Sequence, residues 1–191
     1  MIPVPAPLDR VGDQLDRLSG PVLTTSARLV FAAVLFMYFW RAGLTKLGDG
    51  IFGLFRPDLG AYAQIWPRQM EAVGYDVSQL GLWHTLVVLA GTWAEFLLPT
   101  LIVLGLFTRL AALGMIGFVV IQSLTDIYGL GARPEDIGRW FDATSGALIL
   151  DQRAFWILCL AILVMKGGGP LAVDRLAFRN EPSARPVSRP L

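Results

Sequence analysis

Charge is what this sequence has least of. Only 16% of its 191 residues are Asp, Glu, Lys or Arg, against about 25% in an ordinary soluble domain. A net charge of +1 supplies no basic field, so no nucleic-acid partner is expected. Cysteine and histidine are scarcer still, with one of each. A lone Cys159 excludes an intrachain disulfide and a self-sufficient CxxC redox pair; within its apolar run it reads as a small buried hydrophobe. A lone histidine excludes a multi-histidine haem or metal centre built by this chain, and no metal site is expected. The opening residues also lack the long apolar core of a signal peptide.

What the chain has instead is apolar length. Hydrophobic residues make up 54% and the mean hydropathy is +0.57. Four apolar stretches, over about 26–47, 82–104, 110–127 and 154–171, read as transmembrane helices, since a span needs about 20 residues. The fourth has only twelve uninterrupted apolar residues, Ala154 to Met165, so it is expected to continue past Lys166 or to be shielded by its neighbours. The fold class expected is therefore an all-α membrane protein, an antiparallel bundle of four transmembrane helices. Little chain remains for a separate soluble catalytic domain.

The connections have their own patterns. In residues 1–25, Leu8, Val11, Leu15 and Leu18 line one side and Asp9, Arg10, Asp13, Asp16 and Arg17 the other. This predicts an amphipathic helix, lying at the membrane surface or folded onto the bundle, ended by Ser19-Gly20-Pro21. A long loop joins the first two spans, with a short helix over Ala61 to Val73 bent near Pro67. Leu106 to Arg109 is a tight turn. Residues 139–151 suggest a small hairpin. Residues 26–178 make the membrane domain, and 179–191 a disordered tail rich in Pro, Ser and Arg.

Basic residues orient the bundle. The face with both termini and the Phe107 turn carries Arg10, Arg17, Arg28, Arg109, Arg175, Arg179, Arg185 and Arg189. The opposite face holds Arg56, Arg68, Arg133, Arg139 and Arg153, with Arg41 and Lys46 at a helix end. A bacterial inner membrane with cytoplasmic termini and a long periplasmic loop is expected. Trp66, Trp83, Trp140 and Trp156 then fall on the outer side as an aromatic belt.

Glu95 stands out because it lies near the middle of the second span, where an insertion scale sets roughly 2.5 to 3.5 kcal/mol against a charge. Pro99, four residues on, denies the Glu95 carbonyl its helical donor and predicts a kink. Tyr38, Arg41 and Thr45 share one face of the first span, and Gln122, Thr125 and Asp126 one face of the third. His84 shares the face of Glu95 three turns earlier. These predict a polar cluster of Arg41, His84, Glu95, Gln122 and Asp126 opening to the outer side, with Arg41–Glu95 as the neutralising pair. Lys46 and Asp126 alternatively anchor helix ends, and Glu95 alternatively glues the bundle structurally. Gly167-Gly168-Gly169-Pro170 predicts a helix stop, with an anion on its free amides as the alternative.

In this order and spacing, three motifs resemble the DoxX family of small bacterial four-helix membrane proteins. They are Gly43-Leu44-Thr45-Lys46-Leu47 after Arg28, Glu95 followed by Leu104-Gly105-Leu106-Phe107-Thr108-Arg109, and Gly167-Gly168-Gly169-Pro170-Leu171-Ala172-Val173-Asp174. Gly168 replaces the family's usual proline and Ala172 its serine. The resemblance implies a left-handed four-helix bundle and an association with redox biology, the family name being shared with the membrane subunit of a thiosulfate:quinone oxidoreductase.

Three functions follow as expectations. The first is a non-catalytic subunit that anchors or assembles a larger complex through its outer loops, with other membrane or periplasmic subunits as partners. The alternative is a quinone-binding subunit of a redox complex, with the headgroup held by Glu95, His84 and Arg41 beside Trp93 and Tyr38, and electrons supplied by a partner. A small-molecule transporter ranks last, since four spans without an internal repeat would have to oligomerise. Lipid and quinone are the ligands considered, no covalent cofactor is expected, and a homo-oligomer is left open.

Overall fold

A computed structural model describes residues 6–177; the tail expected beyond 178 lies outside them. Every regular element among the described residues is helical. In chain order these are α1 (Ala6–Val30), a π-helical turn (Phe31–Phe36), α2 (Met37–Leu44), α3 (Leu59–Ile65), α4 (Pro67–Ala72), a 3-10 turn (Val77–Gln79), α5 (Leu82–Leu104), α6 (Thr108–Leu124), a π turn (Thr125–Gly129), α7 (Pro134–Ile137), a π turn (Leu148–Gln152), α8 (Arg153–Lys166) and α9 (Val173–Ala177). Four helical stretches are long and apolar enough to cross a membrane: Val11–Leu44, Leu82–Leu104, Thr108–Gly129 and Leu148–Lys166.

Three expectations are corrected. First, no break occurs at Ser19-Gly20-Pro21: Pro21 lies inside α1, and the helix runs on into the first span. Proline removes one donor from a helix without ending it where neighbouring groups adapt; here the Thr24 hydroxyl donates to the Gly20 carbonyl at 2.9 Å. Second, the fourth span gains its length at the other end, starting at Leu148 and stopping at Lys166. The charges Asp151 and Arg153 mask this start in the sequence. Third, residues 139–151 form no hairpin; they are loop and π turn, with the Trp140 indole donating to the Leu150 carbonyl at 2.9 Å. The helix expected over 61–73 is two helices, divided at Trp66 with Pro67 opening α4.

The spans close into a ring: α2 packs on α5, α5 on α6, α6 on α8, and α8 on α1. Lipid tails are as apolar as leucine, so close packing rather than water exclusion must hold such a ring together. The core follows that rule, with Phe31, Phe39, Ile102, Met115, Val119, Leu160 and Leu163 fully buried around the small Ala111 and Ala112. The order of contacts is opposed between the first and fourth spans. Arg28 reaches Gly168 whereas Tyr38, further along the first span, meets Trp156, earlier in the fourth. The loop helices form a second small core, where Ala61, Tyr62 and Met70 close on Val88 of α5.

One end of the ring is tied by the motif residues. The Arg28 guanidinium donates to the carbonyls of Gly168 at 2.7 Å and Leu171 at 3.2 Å. The glycine stop after α8 therefore turns carbonyls toward the bundle, which suits a cation and not the anion considered from sequence. Asp174 caps α6 from outside that helix, accepting from the Phe107 amide at 2.8 Å and from the Thr108 amide at 3.0 Å. Gly105 makes this possible: its φ is +74°, and a Cβ there would lie 2.6 Å from Arg28 Nη1 and 2.7 Å from Ala172 Cα. Replacing Asp174 by Ala should lower stability by about 2 kcal/mol, since it orphans helix N-terminal donors. Thermal unfolding in detergent measures this, with Arg175→Ala as the silent control.

Candidate functional site

Glu95 is buried on α5, with 4% of its side chain exposed. Its partner is Lys46: the ammonium lies 2.8 Å from Oε1 and 2.9 Å from Oε2, and donates also to the Ala42 carbonyl at 3.2 Å. All three ammonium protons are thereby used. The expected Arg41–Glu95 pair is wrong. Arg41 is exposed, two residues from the buried Phe39 and so on the far side of the helix. Lys46 instead continues the buried stripe Leu35, Phe39, Gly43.

Gly43 brings the pair together. A Cβ there would lie 2.6 Å from the Phe96 ring, so only glycine lets the first span approach α5 this closely. Helix α2 ends just before the lysine, where a cation also complements the helix C-terminus. Beyond it the chain folds back, the Asp58 amide donating to the Lys46 carbonyl at 3.0 Å. Pro99 is buried within α5, which runs on through it from Leu82 to Leu104.

Beside the ion pair, α5 and α6 line an open cavity of about 660 Å³. Ala90, Gly91 and Ala94 form one wall and Gly114 and Gly117 the other, with Phe118 and Ile121 adding apolar surface. Gln64 and Ile65 of α3 close one edge, and the polar lining is Lys46, Glu95, Gln122, Thr125 and Asp126. Three of the expected site residues, Glu95, Gln122 and Asp126, therefore share one cavity. Four others lie elsewhere. Arg41 faces out. His84 packs against the Trp66 ring at 4.9 Å. Trp93 faces the first loop, its indole donating to the Leu54 carbonyl at 2.8 Å. Tyr38 stands behind the lining, its hydroxyl accepting from Gln122 Nε2 at 3.3 Å.

A second ion pair, buried on its arginine side, borders the cavity. Arg153, 2% exposed, donates to Asp126 Oδ2 at 2.6 Å and to Ser123 Oγ at 2.9 Å. Each partner is next to or within a π turn, Asp126 in Thr125–Gly129 and Arg153 just after Leu148–Gln152. Such turns re-aim side chains and recur at functional positions. Sequence reasoning placed Arg153 in a loop and missed it. The signal was there, because counting seven residues back from the buried Leu160 gives Arg153 on the same helix face. Among the described residues no group of three or more His, Cys, Asp or Glu stands together in a way that would hold a metal ion.

The DoxX family model matches residues 23–125, just over half of the chain. The match takes in Arg28, the Gly43–Lys46 motif, Glu95 and Gly105, and stops before the fourth span and Gly167–Asp174. No curated protein and no solved structure matches.

The ion pair carries a stability prediction. Glu95→Ala leaves a buried ammonium unpaired and should cost about 3–5 kcal/mol, whereas Lys46→Met with Glu95→Leu should recover most of that loss. Arg41→Ala should stay within about 0.5 kcal/mol of the parent. Unfolding in detergent, run as a double-mutant cycle, checks all three; a large loss from Arg41→Ala would restore the sequence-based pairing.

Proposed function

The chain belongs to the DoxX family, and from that premise we propose that this integral membrane protein binds a quinone-type ligand in the cavity between α5 and α6. The observation that carries the reading is the cavity's make-up: about 660 Å³, apolar walls of small residues, and a buried Lys46–Glu95 pair with Gln122 at its polar part. Ligand sites commonly have volumes of about 300–1,000 Å³, mostly apolar linings and a few converging polar groups. An isoprenoid ring with two carbonyls has those same two demands, so the residues present fit the group.

A bound quinone would supply two-electron, two-proton redox chemistry. The chain's residues would do the rest. Gly114 and Gly117 leave room for the ring, and Phe118 and Ile121 cover it with apolar surface. Lys46 can turn a proton of its ammonium from the Ala42 carbonyl to a ligand oxygen while keeping Glu95 as its neutralising partner. In exchange, the Glu95 carboxylate would be the group to hold a proton taken from that oxygen or returned to it. Asp126, one-quarter exposed, is the nearest lining carboxylate to the outside and marks the route by which such a proton would exchange with water. Electrons would come from a partner protein.

The bundle is read as antiparallel, with both termini cytoplasmic and the long first loop periplasmic in a bacterial inner membrane, on the strength of the Lys and Arg distribution. A second role, anchoring a larger complex, is favoured by the aromatic surface of the loop before the fourth span. Trp140 and Phe141 are both exposed there, and Phe141 holds a φ of +63°.

Calorimetric titration of the detergent-purified protein with a short-chain quinone should show saturable binding. A Cβ added at Gly117 would meet nothing within 4 Å, so Gly117→Leu should fill the cavity and abolish binding with the melting temperature unchanged. Glu95→Gln should weaken binding about tenfold, near 1.4 kcal/mol. Unchanged titration by the Gly117→Leu protein would refute the cavity as the site. Trp140→Ser with Phe141→Ser should spare that binding while releasing any subunit that co-purifies from native membranes.

A further inference from the structure

The first loop carries an exposed apolar tip that neither the cavity nor the ion pair uses. Ile51 is 86% exposed, Phe52 63% and Phe55 60%, with Leu54 beside them. In water such a cluster would be a liability, since contiguous exposed apolar residues mark surfaces that meet lipid or protein. Its position decides between these. The Trp93 indole donates to the Leu54 carbonyl at 2.8 Å, and the Phe55 ring packs on Trp93 at 5.5 Å. Trp93 is the central residue of α5, Leu82–Leu104, about 17 Å along the axis from either end. The tip is thus fastened halfway down a membrane-spanning helix, level with its lipid-facing side, and not at its end.

The loop's backbone suits that position. Irregular chain next to lipid must find partners for its own polar groups. Here the Gly48 amide donates to the carbonyls of Gly53 and Arg56, the Gly53 amide to Gly50, and the Phe55 amide to Phe52. A cleft of about 190 Å³ between tip and helix is lined by Phe55, Leu89, Ala90 and Trp93 alone, all of them apolar surfaces that fit a hydrocarbon chain.

We propose that residues 51–55 form a wedge inserted among the acyl chains of the leaflet at the N-terminal end of α5, the occupant of the apolar tip being bilayer lipid. The wedge sits in the chain between Lys46 on one side and α3 on the other. This inference stands apart from the ligand proposed for the cavity.

The test uses the full chain with Cys159→Ala and a nitroxide label at Phe52→Cys, reconstituted in phosphatidylcholine vesicles. Power saturation should show ready collision with oxygen and loss of collision with an aqueous nickel chelate. A label at Thr144→Cys, in the loop before the fourth span, should show the reverse. If Phe52→Cys fails to fold, Ile51→Cys reads the same tip. A nickel-accessible label at the tip overturns the proposal by placing it in water. A label protected from both reagents overturns it too, because protein, whether a second copy or a partner, would then cover the site.

Discussion

A membrane interior tolerates an ion only with its counter-ion, and the Lys46–Glu95 pair shows how much structure that demand can organise. Neither charge can stay in the bundle alone. To bring them together the first span must approach α5 closely, which Gly43 alone permits by giving way to the Phe96 ring. The first span must also stop before the lysine, so that the ammonium can turn back into the bundle and donate its third proton to the Ala42 carbonyl. The chain that follows is bound in turn: it bonds back to the Lys46 carbonyl through Asp58 and rests on Trp93 through Leu54. One electrostatic requirement thus sets a helix crossing, a helix end and the course of the first loop.

The opposite end of the ring solves a different problem. Between Leu104 and Thr108 the chain reverses in three residues, leaving the first amides of α6 without helical partners. Asp174, far along the sequence, supplies the acceptors, and Arg28 takes up the carbonyls freed by the glycine stop after α8. Residues from all four spans or their immediate ends meet here. Between the two polar ties the ring has little but van der Waals packing, consistent with the absence of a hydrophobic driving force inside lipid.

Much of the fold was legible because membrane spans are written in composition: four apolar stretches, and helices as the structure most open to them. The site was legible in part. Glu95 announced itself by cost alone, and helical phase put Gln122 and Asp126 on the cavity side. The partner was not foreseen, because Lys46 was weighed as an interfacial anchor by its place near a helix end, and Arg41 by its nearness to the apolar core. Extending the buried period Leu35, Phe39, Gly43 would have selected Lys46 and rejected Arg41. The fourth span was misplaced for a related reason. Hydropathy counts Asp151 and Arg153 as breaks, whereas the arginine is neutralised across the bundle by Asp126 and belongs to the buried face. The course of the first loop had no such local signal, since it depends on a tryptophan thirty-nine residues away.

The cavity is best understood against the packing beside it. The interface of α6 with α8 is filled by Met115, Val119, Leu160 and Leu163, all fully buried. The cavity beside α5 and α6 is lined instead by the small Ala90, Gly91, Ala94, Gly114 and Gly117. Small residues let helices touch, as at Gly114, where a Cβ would lie 3.2 Å from Leu98 Cδ2; the space remains toward Gly117. A side chain at Gly117 would meet nothing within 4 Å of its Cβ, so sterics do not require glycine there. The gap lies against the Lys46–Glu95 pair, and the proposal of a ligand with an apolar body and a polar end rests on that juxtaposition.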